Sequence, residues 1–533
     1  MPKQKTDDLL QLIVSLTRAE KRHFRLFVKR NQSTNDILFL QLFDHLDKYQ
    51  EYDENALLKK IPEIKKSQLS NLKAHLYKQL LTSLRLLAKN NNEDILIRES
   101  IDYARVLYNK GLYRQSLDVL DKTKQKAQAE HFNTLALEIL EFEKRIESQY
   151  VTKSIEGRAD ELKKQVKEVS RNVFTSNAFS DLSLQMYALY LKVGYVRDEK
   201  DFNYISRIFH SSLPEIAYQD LDFWGKMNYC SAHYWYYHIV QDFPQCYRHS
   251  QRWIDVFHEE PTMIGLYIIE YLKGMHKLLN ALYNTLQYNR FRETLDKLEA
   301  FPKRYDITSD INTESIYYLF WYIHRIKLHF LEGTFSEGVK LVKPLMKIIE
   351  EDTYNWDERR VLVFYYRIAC LYFASGDNEK AIDYLNLIIN QKNPDYREDI
   401  QSFSRILNLI AHFELGNRQL VEYQVKSVYR FLAKLEDLHE IQREIFHFIR
   451  KTPRMRQSEL RVEFVSLKEK LVKLENQPYS RRPFLYLDII SWLESKIEDT
   501  TVQEVVRRKF WKEWECDKYA TPIASAKGGA DEP

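Results

Sequence analysis

Residues 365–394 read YYRIACLYFASGDNEKAIDYLNLIINQKNP, and this stretch decides the fold. Tyr365, Ile368, Ala369 and Tyr372 recur at the three- and four-residue spacing of one helix face. Ala381, Leu385 and Ile388 repeat that pattern beyond a break. Gly376 and Asp377 supply the break, because glycine tolerates the left-handed conformation that ends a helix and aspartate caps the next one. Pro394 stops the second helix. The pattern is helix, tight turn, helix. Neither helix can bury its stripe alone, so such a pair stacks on neighbouring pairs.

The same frame recurs along the chain. Gly416 precedes Val421, Val425 and Val428; Gly333 precedes Gly338, Val342 and Leu345; Asn289 precedes Thr294 and Leu298. Gln241 precedes Cys246, Ser250 and Trp253, and Lys200 precedes Ile205 and Phe209. Gly157 precedes Leu162, Val166 and Val169, and Gly111 precedes Ser116, Leu120 and Thr123. These eight markers at 111, 157, 200, 241, 289, 333, 376 and 416 lie 40 to 48 residues apart. Composition agrees with an all-α chain. The 533 residues include only 12 Gly and 13 Pro, too few for the turns a sheet protein needs.

The copy around Gly376 resembles the tetratricopeptide repeat: Tyr365, Ile368-Ala369, Tyr372, Gly376-Asp377, Ala381, Leu385 and Pro394 stand where that family's pattern has its bulky, small and turn residues. The period departs from the family, averaging about 43 residues against 34, nearer HEAT and armadillo units. The resemblance covers roughly residues 91–432. It implies a right-handed α-solenoid of about eight stacked helix pairs, whose first helices line a concave surface used for protein recognition. Carrying the family's concave positions onto this register selects Tyr187, Tyr190, Arg197, Trp235, His238, Tyr283, Lys327, Phe330, Tyr366, Phe373 and Phe413. These residues either form an aromatic groove for a peptide segment or fill the interior of deeply buried helices. The run His233-Tyr-Trp-Tyr-Tyr-His238 cannot point all its rings one way, since neighbours stand about 100° apart on a helix. The family's clamp for a peptide carboxylate needs a basic and amide cluster across adjacent helices. Arg197 and Lys327 look scattered, so a partner ending in a free carboxylate is not expected.

Residues 1–90 read as a helical cap for the first repeat, with 17 Lys and Arg against 10 Asp and Glu in a chain of net charge +4. Thr17 and Glu20 form a capping-box pattern ahead of a basic helix. Asp36–Tyr49 and Asp53–Lys60 are further helices, and Ser67 opens a long one with a stripe of Leu69, Leu72, Leu76, Leu80, Leu84 and Leu87. A helix-turn-helix around Pro62 is the alternative, with Lys65, Lys66, Lys73 and Lys78 meeting nucleic-acid phosphates. Residues 433–519 read as further helices (Leu435–Ile449, Leu460–Leu474, Phe484–Leu493 and Val502–Trp511) with breaks at Pro453 and Pro478, and residues 520–533 as a disordered tail. Arg450, Lys451, Arg454 and Arg456 make a small basic cluster.

No catalytic motif stands out: no glycine-rich phosphate loop and no metal-spaced Cys/His set. His233 and His238, like His324 and His329, are five apart, about 140° around a helix and poorly placed to share a metal. The four cysteines have no paired spacing; Cys230 and Cys246 fall on facing helices and read as core residues or, less simply, a bridge. No signal-like or membrane-length apolar run is present. The sequence therefore reads as a cytoplasmic, non-enzymatic scaffold without cofactor or metal. It would bind a protein or peptide segment, with self-association and a nucleic-acid-associated regulator as alternatives.

Overall fold

A computed structural model describes residues 7–30, 34–88, 92–149, 157–308, 310–391, 398–434, 440–451, 455–475 and 488–519. The breaks expected at Pro394, Pro453 and Pro478, the start of the helix expected at Phe484, and the tail from Ala520 lie outside these residues. All regular elements among the described residues are helical. The chain divides into two compact units, Met1–Val173 and Phe174–Pro533.

In the first unit, α1 (Asp8–Ser15), α2 (Arg18–Arg30), α3 (Thr34–Tyr49), α4 (Glu54–Lys60) and α5 (Lys66–Ala88) surround one apolar core. The capping box forms as written: Thr17 N–H donates to Glu20 Oε2 at 2.7 Å, and Glu20 N–H to Thr17 Oγ1 at 3.2 Å. The leucine stripe of α5 packs inward through Leu69, Leu76 and Leu80. A second core joins α6 (Glu93–Asn109), α7 (Tyr113–Ala129), α8 (Asn133–Gln149) and the start of α9 (Arg158–Val193). Between α7 and α8 the buried Lys124 ammonium donates to both oxygens of buried Glu143, at 2.9 and 2.7 Å. Burial nonetheless pushes the Glu143 carboxyl up to about 7.

The sequence frame placed a turn between 157 and 200, closing one pair and opening another. The structure instead has one unbroken 36-residue helix, α9, and the turn comes at Gly194, with φ +71°. Residues 158–193 contain neither glycine nor proline, so nothing in them stops a helix.

The second unit continues with α10 (Glu199–Ser212), α11 (Phe223–Ile239), α12 (Phe243–Glu259), α13 (Thr262–Leu266), α14 (Ile268–Asn284) and α15 (Tyr288–Ala300). Then come α16 (Ile311–Glu332), α17 (Phe335–Gly338), α18 (Val342–Glu350), α19 (Glu358–Ser375), α20 (Asn378–Ile389), α21 (Glu398–Glu414) and α22 (Arg418–Lys434). Each of α11, α14, α16, α19 and α21 pairs with the helix after it, and α12 packs on α14 as α20 does on α21. The turns repeat one device: a left-handed residue at Gln241, Leu286, Gly333, Gly376 or Gly416 ends the first helix. Aspartates start many of the helices. Asp222, Asp242, Asp310 and Asp377 each accept the backbone N–H three residues on, at 2.8 to 3.2 Å. The helix after Gly333 is split between α17 and α18, because Pro344 has no N–H for the carbonyl of Lys340 and its ring crowds that carbonyl.

After α22 the chain forms α23 (Glu440–Lys451), α24 (Gln457–Glu475), α25 (Ile489–Glu498) and α26 (Val502–Tyr519). These helices do not simply extend the row. Helix α26 returns to pack on α16 and α19. Gln503 Oε1 accepts from Ser336 N–H and Oγ at 2.9 and 3.0 Å. The approach is so close that a Cβ on Gly333 would stand 2.5 Å from the Arg507 backbone nitrogen. Gly333 is thus required twice, for its φ of +62° and for the room it leaves.

Candidate functional site

The residues carried from the repeat resemblance separate into two sets. The first set gathers on α9, α11, α14 and α16. Tyr187 lies 4.7 Å from Trp235, and Tyr190 lies 5.4 Å from Trp235 and 5.1 Å from His238 between ring centroids. Trp235 and Tyr190 are partly exposed, Tyr187 is exposed, and His238 is buried. Tyr195 hydroxyl stands 3.2 Å from His238 Nε2. Burial, followed by the charges of Lys327 and Lys277, holds the His238 ring down to about 3. Arg197 sits outside the stack, exposed and paired with Asp201 at 2.8 Å.

Tyr187 and Leu191 also wall an open cleft of about 460 Å³, whose other side is the start of α19 from Asp357 to Arg360, with Val363. These two walls are about 170 residues apart in sequence, and no spacing rule could have joined them.

Beneath the rings runs a polar seam. Lys277 Nζ donates to Ser231 Oγ at 2.9 Å and lies 4.9, 5.0 and 4.5 Å from the ring centroids of Tyr234, Trp235 and Trp253. Lys327 Nζ donates to Asn280 Oδ1 at 2.6 Å and lies 4.3 Å from the Tyr283 ring. That bond orients the amide, so Asn280 Nδ2 donates to His276 Nε2 at 2.9 Å. With His276 and His324 both neutral, His276 Nδ1 then donates to His324 Nε2 at 2.9 Å. The chain of bonds ends at His324 Nδ1, which is buried with no hydrogen-bond partner among the described residues. Burial drives both rings well below the usual imidazole value, brings Lys277 down to about 7, and holds Lys327 well below the ordinary lysine range.

Of this seam the sequence reading found only Lys327. Lys277 and His324 each stand nine residues before the left-handed residue that ends their helix, Leu286 and Gly333, as Arg367, whose charge acts on Lys327 from α19, does before Gly376. That periodicity was present in the sequence, but its start was hidden because Leu286 gives no sign of a positive φ.

The second set lies in apolar packing. Tyr366 and Phe373 are buried in the core of α19 to α21, and Phe330 is packed against the same core. Phe413 meets Phe448, Phe464 and Trp492 at 6.2 to 6.4 Å between centroids. Trp492, on α25, is 1% exposed and donates Nε1–H to Glu414 Oε1 at 2.7 Å.

In the first unit the four lysines raised for phosphate contact are unequal. Lys73 pairs with Asp7 and lies over the Tyr52 ring, and Lys66 pairs with Glu54 at 3.0 Å. Lys65 and Lys78 are exposed. In the basic cluster, Arg450 and Lys451 end α23, Arg456 precedes α24, and Arg454 lies outside the described residues. Cys230 and Cys246 are free, buried thiols, and burial pushes Cys230 up to about 12. Among the described residues, no group of three or more His, Cys, Asp or Glu is placed to hold a metal ion, and no helix is long and apolar enough to cross a membrane.

The chain matches no protein-family model, no curated protein and no solved structure.

Proposed function

We propose that this chain is a non-enzymatic, cytoplasmic binding scaffold. In this reading the helix pairs of the second unit belong to a right-handed, tetratricopeptide-like α-solenoid, and the chain holds a segment of another protein on its inner aromatic face. The observation that carries the reading is the cleft of about 460 Å³ walled by Tyr187 and Leu191 and continuous, through Tyr187, with the ring stack of Tyr190 and Trp235. Exposed Tyr187 and Leu191 face Val363 and the charged side chains of Asp357, Glu358, Arg359 and Arg360 across the cleft, and an apolar anchor beside polar groups is a composition suited to recognition. Much of the surface is held by packed helices, so little ordering cost falls on the scaffold when a partner binds.

The test compares the intact chain with Leu191→Asp and with a Lys65→Glu, Lys78→Glu double variant, as bait in lysate of the native cell. The scaffold reading expects one protein retained by the intact chain and the lysine variant and lost with Leu191→Asp. Retention of nucleic acid alone, lost with the lysine variant, replaces the scaffold with a nucleic-acid-associated regulator.

A further inference from the structure

Lys277 and Lys327 are each only 7% exposed. Their side-chain hydrogen bonds go to neutral oxygens, Ser231 Oγ and Asn280 Oδ1, and neither lysine forms an ion pair among the described residues. Removing an ammonium from water without a counter-charge is among the most costly arrangements a fold can hold. This chain follows the usual rule elsewhere: in the first unit Lys124, buried to the same degree, has Glu143 on both oxygens. The two lysines of the seam lack such a contact: Glu270 favours the charge of Lys277 only from beyond ion-pair distance and is opposed by Lys273, while Arg367 sets a further positive charge against Lys327. They stand on neighbouring inner helices, beside the partly exposed rings of Trp235 and Tyr283, and near His238, whose Nδ1 is also buried without a partner.

We propose that this inner face, across α11, α14 and α16, recognises an acidic peptide segment whose side-chain carboxylates supply the missing counter-charges to Lys277 and Lys327. The proposal rests on the scaffold reading and gives its partner a chemistry. Neighbouring packed helices lie about 8–10 Å apart. A polyproline-II segment advances about 3.1 Å per residue and returns to the same face every third residue, so the two carboxylates belong on residues three apart. Trp235 and Tyr283 flank the lysines and would cover the aliphatic parts of such a segment. Recognition of this kind takes up protons at pH 8, because burial brings Lys277 down to about 7 and a carboxylate beside it favours its charged form.

The experiment titrates the full chain with fluorescein-labelled hexaglutamate at pH 8, with hexalysine and inorganic phosphate in parallel. Binding is repeated for Lys327→Met and Lys277→Met, and melting temperatures are recorded for each. The expected result is hexaglutamate binding with net proton uptake, weakened about ten-fold or more in each variant, while both melt at or above the parent temperature because a buried amine has become apolar. Absence of hexaglutamate binding overturns the site, as does unchanged affinity in Lys327→Met or binding without proton uptake. Competition by inorganic phosphate at equal charge concentration also overturns it, in favour of a small-oxyanion site. If the variants melt early, the proton uptake of the parent chain decides. Hexaglutamate failing while Leu191→Asp still abolishes capture of a cellular protein removes this site and leaves the scaffold reading standing.

Discussion

Two stretches of the row of helix pairs solve burial in opposite ways. Around α11, α14 and α16 the interior is wet chemistry kept dry: two lysines and several imidazoles, joined by hydrogen bonds to neutral partners. Around α19 and α21 the equivalent space is filled by Phe373, Phe413 and Trp492, with the chain's own C-terminal helices packed against them. Where the C-terminal helices pack against the pairs, the first helices are enclosed in apolar core. In the seam, ionisable groups stay buried, although such groups are often less stabilising than apolar ones of the same shape.

Acid should break the comparison most sharply. Burial holds His233 to about 4 and His238 and His249 to about 3, against 6.5 for a free imidazole. A folded value below the unfolded one means the unfolded chain binds more protons between the two, so stability is full above about pH 6.5 and falls as pH drops towards 3. Each ring contributes about 1.4 kcal/mol per pH unit across that window. Hydrogen exchange at pH 4.5 should therefore open α11 and α12 before α21 and α25; simultaneous opening would mean that the two regions share one cooperative core.

Next in size is Trp492→Ala. It empties the site among Phe413, Phe448 and Phe464 and leaves Glu414 short of a donor, for about 4 kcal/mol and a correspondingly lower melting temperature. A two-glycine comparison then isolates the docking of α26. Gly376 has φ +92° and open space, so Gly376→Ala should cost only the left-handed strain, about 1 kcal/mol. Gly333→Ala adds a clash with the Arg507 backbone and should cost about 2–3 kcal/mol, with faster tryptic cleavage after Arg507 and Arg508. Equal losses at the two positions would show that α26 yields freely. The smallest effect is Tyr187→Ala, under about 1 kcal/mol because the ring is 39% exposed, and visible chiefly as weaker partner capture.

Much of the fold was legible because its turns are local. Gly333, Gly376 and Gly416 announce left-handed helix ends, and Asp377 and Asp242 announce the next helix start. The marker at Asn289 came three residues late, since a leucine, Leu286, adopts the positive φ there and leucine seldom does. The long helix α9 was readable in principle from 36 residues without a breaker, but the regularity of the repeat overrode that signal. The site was half legible. The repeat family's concave positions, carried onto the register, picked Trp235, Tyr190 and Tyr187, whereas Lys277, Asn280 and His276 became meaningful only when the packing of α11, α14 and α16 brought them together. The opposite wall of the cleft, at Asp357–Arg360, is purely tertiary and had no local signature.

The return of α26 to α16 also sets a clock. Ser336 and Gln503 are 167 residues apart in sequence, yet they are hydrogen-bonded. At roughly 5–20 residues per second of synthesis, the edge of α16 stays open for about 8–33 s after it leaves the ribosome. For that interval the nascent chain presents a helix end already shaped, by Gly333, to receive a helix backbone at very short range. Any other helix that reaches it first is a competitor for α26, so the order of synthesis leaves this edge open to a wrong neighbour until α26 arrives.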